Sequence, residues 1–336
     1  MPNSARKNLA LTVLVTIVSG KNSLRRCLNA LCPQIDFKTA EIVVPFDCWS
    51  LEIGKLKAEF PLVRFPFIED LGVAASVDVS AHAHRLYDRR RAVGLNLARG
   101  RIVAMIEDHA LPAADWCRQI LALHEEHDRV AVIGGAIENA VDRPLNWAWY
   151  YCDFGRYGRP LLNNAASYVS DVNVSYKREA LLDIQDVWRE AYHETTVHWV
   201  LRSRGTMLFL DERMLVYQHR PPLSLSAALG ERIAWGRVFA ETRIDQAGFG
   251  KQLIFAAGTF FLPVLLFARV ARRMRRQKRT LAQMTTVLPL VFVLLLAWSL
   301  GELLGYLNKA PVALKNDSSP AASQLSNNLN PNGFTG

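Results

Sequence analysis

The sequence has few cysteines, and none of the five forms a CxxC motif. This pattern excludes the zinc sites that paired cysteines build, and it is typical of small buried side chains in a reducing compartment. Residues 1–249 also lack a surplus of basic residues, because eight of the nine net positive charges lie from Gly250 onward. A nucleic-acid groove needs a concentrated basic face, so we expect no nucleic-acid partner for the main domain.

A run of five apolar residues, Ile102–Ile106, is the clearest structural signal in the chain. It predicts a strand buried on both faces, as in a parallel sheet, and it ends at Glu107, Asp108 and His109. The carboxyl ends of such strands are where open α/β sheets bind ligands. Glu107 and His109 are two residues apart, so on extended backbone they point to the same side, and Asp108 points to the other.

Other apolar segments alternate with helical patterns. The run Leu9–Val18 follows two basic residues and would suit a secretion signal, but its β-branched residues favour a strand. Further strands are predicted at 41–47, 62–68, 130–135, 170–176 and near 207–210, and helices at 87–98, 115–127, 177–188 and 193–204. The segment 216–219 closes the domain. A helix with Leu24, Cys27, Leu28 and Leu31 on its apolar face is expected after Gly20, and residues 72–84 are predicted as a loop. The alternation predicts an α/β fold with a mostly parallel central sheet and helices on both faces.

Six aromatic residues crowd into residues 147–157. They suit either a loop packed on the core or a platform for a sugar ring.

Two apolar stretches, Leu253–Ala268 and Val287–Leu300, flank seven positive charges at 269–279. They predict a C-terminal hydrophobic helical hairpin that associates with a membrane, with its arginines on anionic headgroups. The alternative is a buried hairpin that completes the fold. The predicted organisation is an N-terminal arm at 1–8, a main domain at 9–249, membrane-associated helices at 250–310 and a disordered tail at 311–336.

Several short motifs occur in a characteristic order between residues 9 and 219. They are Thr16–Gly20 after the first strand, Glu41–Asp47, Arg91–Gly100, Glu107-Asp108-His109 followed by Trp116, Asp171–Arg178, and His193-Glu194. In this order they resemble the family 2 glycosyltransferases, which have a Rossmann-like GT-A fold and transfer a sugar from a nucleotide diphosphate. The chain departs from the family pattern at Ala92, at Asp47, where one acid replaces a pair, and at His109 in the metal motif.

The resemblance implies roles for particular residues. It places the donor at Val18, Ser19, Asp47, Arg91 and Asp108, a divalent cation at Glu107, Asp108, His109 and His219, and the catalytic base at Glu194. Imidazole binds Mn²⁺ more readily than Mg²⁺, so His109 favours manganese.

These residues also have structural interpretations. Glu107, Asp108 and His109 are common in surface turns, and Asp47 suits a turn cap. Glu194 can complement a helix dipole, and His219 can be a hydrogen-bonded structural histidine.

Two functions follow from the resemblance. The first is a membrane-associated, inverting glycosyltransferase with its catalytic domain in the cytoplasm and a glycan or lipid-linked acceptor. The second is a catalytically silent GT-A-like binding module at the membrane.

Overall fold

The computed structural model describes residues 9–69, 79–161, 165–222, 224–244 and 249–308. The strands are β1 Leu11–Thr16, β2 Ala40–Val43, β3 Phe46–Asp47, β4 Phe67–Ile68, β5 Ile102–Glu107, β6 Ala110–Pro112, β7 Val132–Asn139, β8 Ala165–Ala166, β9 Asn173–Lys177 and β10 Leu208–Gln218. The helices are α1 Lys21–Leu31, α2 Val79–Leu97, α3 Trp116–Glu126, α4 Pro144–Asp153, α5 Arg178–Leu182, α6 Gln185–Trp188, α7 Glu194–Ser203, α8 Leu225–Ile244, α9 Phe249–Gly258, α10 Leu262–Arg276 and α11 Leu281–Asn308. The predicted arm at 1–8 and tail at 311–336 lie outside the described residues.

The central sheet has the strand order β2-β1-β5-β9-β7-β10-β6, and β8 pairs with β10. Strand β1 runs parallel to β2 and β5, and β7 runs parallel to β10. Strand β9 lies between β5 and β7 and is antiparallel to both. Five strands therefore run in one direction, while β6, β8 and β9 oppose them. The predicted α/β fold with a mostly parallel sheet is confirmed.

Each face of the sheet buries its own hydrophobic core. Along β5, Ile102, Ala104 and Ile106 belong to one core, while Val103 and Met105 belong to the other. This alternation explains why the predicted strand is apolar throughout, because both of its faces are covered. The apolar face predicted for α1 is also buried, at Leu24, Cys27, Leu28 and Leu31.

Several local predictions were wrong. The segment 41–47 divides into β2 and β3, and β3 pairs with the very short β4 in a separate two-stranded sheet. Residues 79–84, predicted as loop, begin α2, while 70–78 lie outside the described residues. The aromatic stretch begins as helix α4, and the strand predicted near 207–210 extends to Gln218 as β10, with an irregularity between Asp211 and Leu215.

The C-terminal helices pack against the main domain. Met274 of α10 and Val287, Val291 and Leu294 of α11 belong to the same core as β1 and β5. Helix α11 also lies against α8, where two glycines allow close contact of the backbones. A Cβ atom on Gly301 would lie 2.1 Å from the carbonyl oxygen of Ile233, and one on Gly236 would lie 2.2 Å from that of Trp298. The core is therefore continuous across the boundary predicted at residue 250.

The opposite side of these helices is apolar and exposed. On α11 the exposed residues follow helical spacing, and they include Val293, Leu296, Leu300, Leu304 and Leu307. In the described part of the chain, one helix, Leu281–Leu307, is long and apolar enough to cross a membrane, and 44% of its most apolar window is buried in the protein. A second apolar pair, Gly250–Gly258 and Leu262–Arg276, is bent by 55°. Both predicted uses of this region, membrane contact and completion of the core, therefore have structural counterparts.

Candidate active site

The loop after β1 and the end of β5 meet at the carboxyl edge of the sheet. Because β1 and β5 are parallel neighbours, with Thr16 opposite Glu107, the residues that follow each strand lie side by side. The buried carboxylate of Asp108 accepts hydrogen bonds from the backbone N–H groups of Ser19, at 2.9 and 3.0 Å, and Gly20, at 2.8 Å. Asp108 thus fixes the loop that carries Val18 and Ser19, and its carboxylate faces that loop.

Glu107 and His109 project together, as the spacing predicted. The Nε2 atom of His109 lies 3.3 Å from Oε2 of Glu107, and its Nδ1 atom lies 3.2 Å from Oγ of Ser19. Burial opposes a charge on His109, but the neighbouring carboxylates of Asp108 and Glu107 outweigh this effect and raise the pKa of the imidazole. Burial also raises the pKa of Glu107, although His109 and Arg91 oppose that shift.

Arg91 lies at the centre of a cluster of acids. Its Nη2 atom is 2.9 Å from Oε1 of Glu107 and 2.8 Å from Oδ2 of Asp171, and its Nη1 atom is 3.6 Å from Oδ1 of Asp88. The Arg91 side chain is only 5% exposed, so these carboxylates provide most of its compensation. Burial raises the pKa of Asp88 to about 7, despite the opposing charge of Arg91. We call Arg91, Asp88, Glu107 and Asp171 the acid cluster.

Glu194 is the first residue of α7 and lies beside the acid cluster. Its Oε2 atom accepts a hydrogen bond of 3.4 Å from the backbone N–H of Asp171, and its Oε1 atom is 3.9 Å from Nδ1 of His198. Its side chain remains 28% exposed, so a substrate can reach it. Desolvation, followed by the charge of Asp171, raises the pKa of Glu194 well above the usual value. A carboxylate with a raised pKa is a stronger base near neutral pH.

Asp47 is enclosed by protein groups. Its carboxylate accepts hydrogen bonds from Nε and Nη2 of Arg90, at 2.6 and 3.0 Å, and from the backbone N–H of Trp49, at 2.8 Å. Arg90 also donates to the carbonyl oxygen of Ile17, 2.7 Å away, so the pair braces the β1 loop. The turn-capping role of Asp47 is therefore present in the structure, and its role in donor binding stays a prediction.

His219 follows β10 and lies on the other side of His109. Its backbone N–H donates to the carbonyl oxygen of His109 at 2.8 Å, and its Nε2 atom lies 3.3 Å from Nη1 of Arg26 in α1. Arg220, the next residue, stacks on the ring of Trp149 at 3.8 Å and pairs with Glu231 at 2.5 Å. The aromatic residue Trp149 thus holds a cation, in a helix packed on the core.

The predicted metal ligands converge only in part. Glu107 and His109 present Oε2 and Nε2 to one point, whereas Asp108 faces the β1 loop and His219 contacts Arg26. Across the ranges that the structure describes, no group of three histidine, cysteine, aspartate or glutamate residues is arranged to hold a metal ion. Two such ligands fit a cation that completes its coordination with substrate phosphates, which is common for Mg²⁺ and Mn²⁺.

Sequence reasoning missed three residues of this region: Arg26, Asp88 and Arg90. Arg26 has no signal in the sequence, because only the tertiary fold brings α1 beside His219. Asp88 and Arg90 precede Arg91 in a helix that was predicted, but the partner of Arg90, Asp47, and the other acids around Arg91 are remote in sequence.

A comparison with curated proteins bears on the resemblance. The chain is 32% identical over 101 residues to a glucosyl-dolichyl phosphate glucuronosyltransferase from Haloferax volcanii. The match covers 28% of this chain and 32% of the relative, so the chain spans about a third of that protein's length. The resemblance to family 2 glycosyltransferases is confirmed. No family model matches the chain.

Two solved structures match the chain at low sequence identity. The mannosyltransferase PcManGT from Pyrobaculum calidifontis, in complex with GDP-Man and Mn²⁺, is 16% identical, with a TM-score of 0.45 over 95% of this chain and 79% of that chain. TarS 1–349 from S. aureus is 14% identical, with a TM-score of 0.45 over 90% of this chain and 92% of that one.

Proposed function

We propose that the protein is a glycosyltransferase that moves a sugar from a nucleotide-diphosphate donor to a glycan or lipid-linked acceptor, with inversion at the sugar carbon. One observation carries the proposal: Arg91 joins the Glu107–His109 pair to Asp171, whose backbone contacts Glu194. In this proposal the diphosphate leaves beside the Glu107–His109 pair, and the accessible carboxylate of Glu194, whose pKa is raised, lies beyond the acid cluster. The match to a glucosyl-dolichyl phosphate glucuronosyltransferase supports this chemistry and a lipid-linked acceptor.

Glu194 would act as the general base. It takes the proton from the acceptor hydroxyl as that oxygen attacks the sugar carbon, and the bond from the sugar to the diphosphate breaks. Asp171 favours this transfer because its negative charge raises the proton affinity of Glu194. His109 and Glu107 would hold a divalent cation, Mn²⁺ or Mg²⁺, which when bound supplies positive charge to the leaving group.

The exposed apolar side of α10 and α11 would contact the membrane. Phe260 and Phe261 at the bend before α10 are 72% and 77% exposed, and Arg272, Arg275 and Arg276 are exposed near the other end of α10. An exposed apolar side with exposed arginines at one end suits an anionic leaflet, which we place on the cytoplasmic side.

A catalytically silent module at the membrane is the second candidate. Arg90 binds the carboxylate of Asp47, and backbone N–H groups of the β1 loop bind that of Asp108. Fewer carboxylates are then free to bind a nucleotide-sugar donor, which favours this second candidate.

Replacement of Glu194 by Gln separates the two candidates. The unmodified protein is first screened for sugar transfer and for donor hydrolysis with several nucleotide sugars and Mn²⁺. Because Gln keeps the shape but cannot accept the proton, we expect Glu194→Gln to lower transfer by roughly 10²–10⁴-fold with donor affinity retained.

Glu190→Gln is the matched control, since Glu190 lies nearby, is 82% exposed and pairs with Arg89 at the surface. We expect it to leave turnover unchanged. Full activity of Glu194→Gln would remove Glu194 from the mechanism. A protein that binds nucleotide sugars but neither transfers nor hydrolyses any of them would favour the silent module.

A further inference from the structure

Arg26 has no carboxylate partner among the described residues, and it contacts His219, whose backbone N–H binds the carbonyl oxygen of His109. It lies on α1 between Ser23, whose Oγ atom is 3.3 Å from its Nη2 atom, and Cys27, whose Sγ atom is 3.9 Å from the carbonyl oxygen of Glu107. This position places Arg26 beside the end of β5. No carboxylate among the residues that the structure describes pairs with Arg26, although its neighbours Arg25 and Arg220 are both paired.

The contact between Arg26 and His219 determines which ring nitrogen of His219 carries the proton when the imidazole is neutral. A guanidinium group only donates hydrogen bonds, so Nε2 of His219 must accept the one from Arg26, at 3.3 Å. The proton of the neutral ring is then on Nδ1, which is buried and has no partner within the described residues. In this arrangement His219 accepts a hydrogen bond from Arg26, and its role as a metal ligand stays a prediction.

We propose that Arg26, positioned by His219, binds the diphosphate group of the donor and stabilises the charge on that group as it leaves. This inference rests on the proposed function. A half-buried guanidinium without a carboxylate is suited to a phosphate oxygen, because its planar fork donates two hydrogen bonds. Arg26 also lies close to the candidate site, because His219, which it contacts, donates its backbone N–H to the carbonyl oxygen of His109 at 2.8 Å. Arg26 would thereby supply positive charge at a site where only two protein ligands converge on a metal ion.

The test measures binding of pyrophosphate, UDP and GDP to the full chain by calorimetry, in EDTA so that no cation contributes. We expect Arg26→Gln to weaken binding by roughly 10- to 100-fold, the loss typical of a charge-assisted hydrogen bond to a phosphate. Arg26→Lys, which keeps the charge but not the fork, should give an intermediate loss and guards against a folding defect in the first variant.

Arg25→Gln is the matched control. It removes the same charge from the next residue of the same helix, but the Arg25 guanidinium pairs with Glu59 at 2.6 Å on the surface. We expect the affinity of Arg25→Gln for the three probes to stay within about twofold of that of the unmodified protein, because solvent and salt screen an exposed charge.

Three outcomes would overturn the proposal. They are equal losses of probe affinity in Arg25→Gln and Arg26→Gln, an unchanged affinity in Arg26→Gln, and no binding of pyrophosphate, UDP or GDP to the unmodified protein. Diphosphate binding that depends on Arg26, in a protein that transfers no sugar, would uphold the proposal and count against the proposed function.

Discussion

The acid cluster and the Arg26 site lie on two sides of the end of β5. They differ in whether the positive charge of the arginine is neutralised by carboxylates. In the acid cluster, a buried guanidinium has three carboxylates within 3.6 Å, and every member is held by protein partners. At the Arg26 site, a guanidinium faces a histidine and has no acid partner among the described residues. The first arrangement stabilises a geometry, whereas the second leaves charge available to a ligand. Substitutions should therefore affect folding on one side and binding on the other.

The largest effect on stability is expected for Arg91→Met. Methionine fills the space but leaves the partly buried Asp171 without a cation and Glu107 with only His109, so the free energy of unfolding should fall by about 3–5 kcal/mol. Urea denaturation at pH 7 measures this change, and the loss should shrink near pH 4 as the carboxylates take up protons.

Arg89→Met provides the control for Arg91→Met, because Arg89 pairs with the exposed Glu190 and should cost about 1 kcal/mol or less. Equal costs for the two variants would mean that the acid cluster does not depend on its central cation.

A second, smaller effect concerns pH. The pKa of Asp88 is raised from 3.8 to about 7, so the folded protein keeps a proton that the unfolded chain loses on going above pH 4. This contribution makes the protein less stable as pH rises from about 4 to 7. Asp88→Asn removes it, and the slope of unfolding free energy against pH should change by up to about 1.4 kcal/mol per pH unit in that window.

Asp186→Asn, at an exposed position on α6, should leave that slope as it is. A slope in Asp88→Asn identical to that of the unmodified protein would show that Asp88 titrates normally.

The smallest effect is expected on the Arg26 side. Because neither guanidinium supports the core, Arg25→Gln and Arg26→Gln should each change the Tm by about 2 °C or less in differential scanning calorimetry. A large loss of stability in Arg26→Gln would show that Arg26 is a structural residue. The two sides of β5 would then both support the fold.

Much of the fold could be predicted because its signals are local. The apolar run of β5 reports burial on both faces, and the spacing of Glu107 and His109 fixes their common direction. The insertion of β9 between β5 and β7 could not be read from the sequence, because strand order depends on contacts between distant segments. Asn173, in the strand predicted at 170–176, begins β9, and its buried side-chain amide donates to the carbonyl oxygens of Ala136 and Met214, which no local pattern indicates.

The sequence could predict which residues lie in the candidate site, but not which groups of the protein bind them. A sequence lists the acids Asp47 and Asp108 but does not show that Arg90 and the amides of the β1 loop already occupy them. Arg26 was invisible because its significance comes from the absence of a nearby acid, which only the three-dimensional arrangement of the described residues reveals.

The close contact of α11 with α8 and with the main core has a consequence for synthesis on the ribosome. Every strand of the sheet precedes α11 in the chain. The apolar surface of the main core is therefore synthesised before Val287, Val291 and Leu294 of α11, which pack on it. Until Gly301 reaches Ile233, that apolar surface is open to chaperones, to lipid or to aggregation. A chain stalled before residue 281 would therefore contain every strand of the sheet but would leave the part of the core that α11 covers exposed.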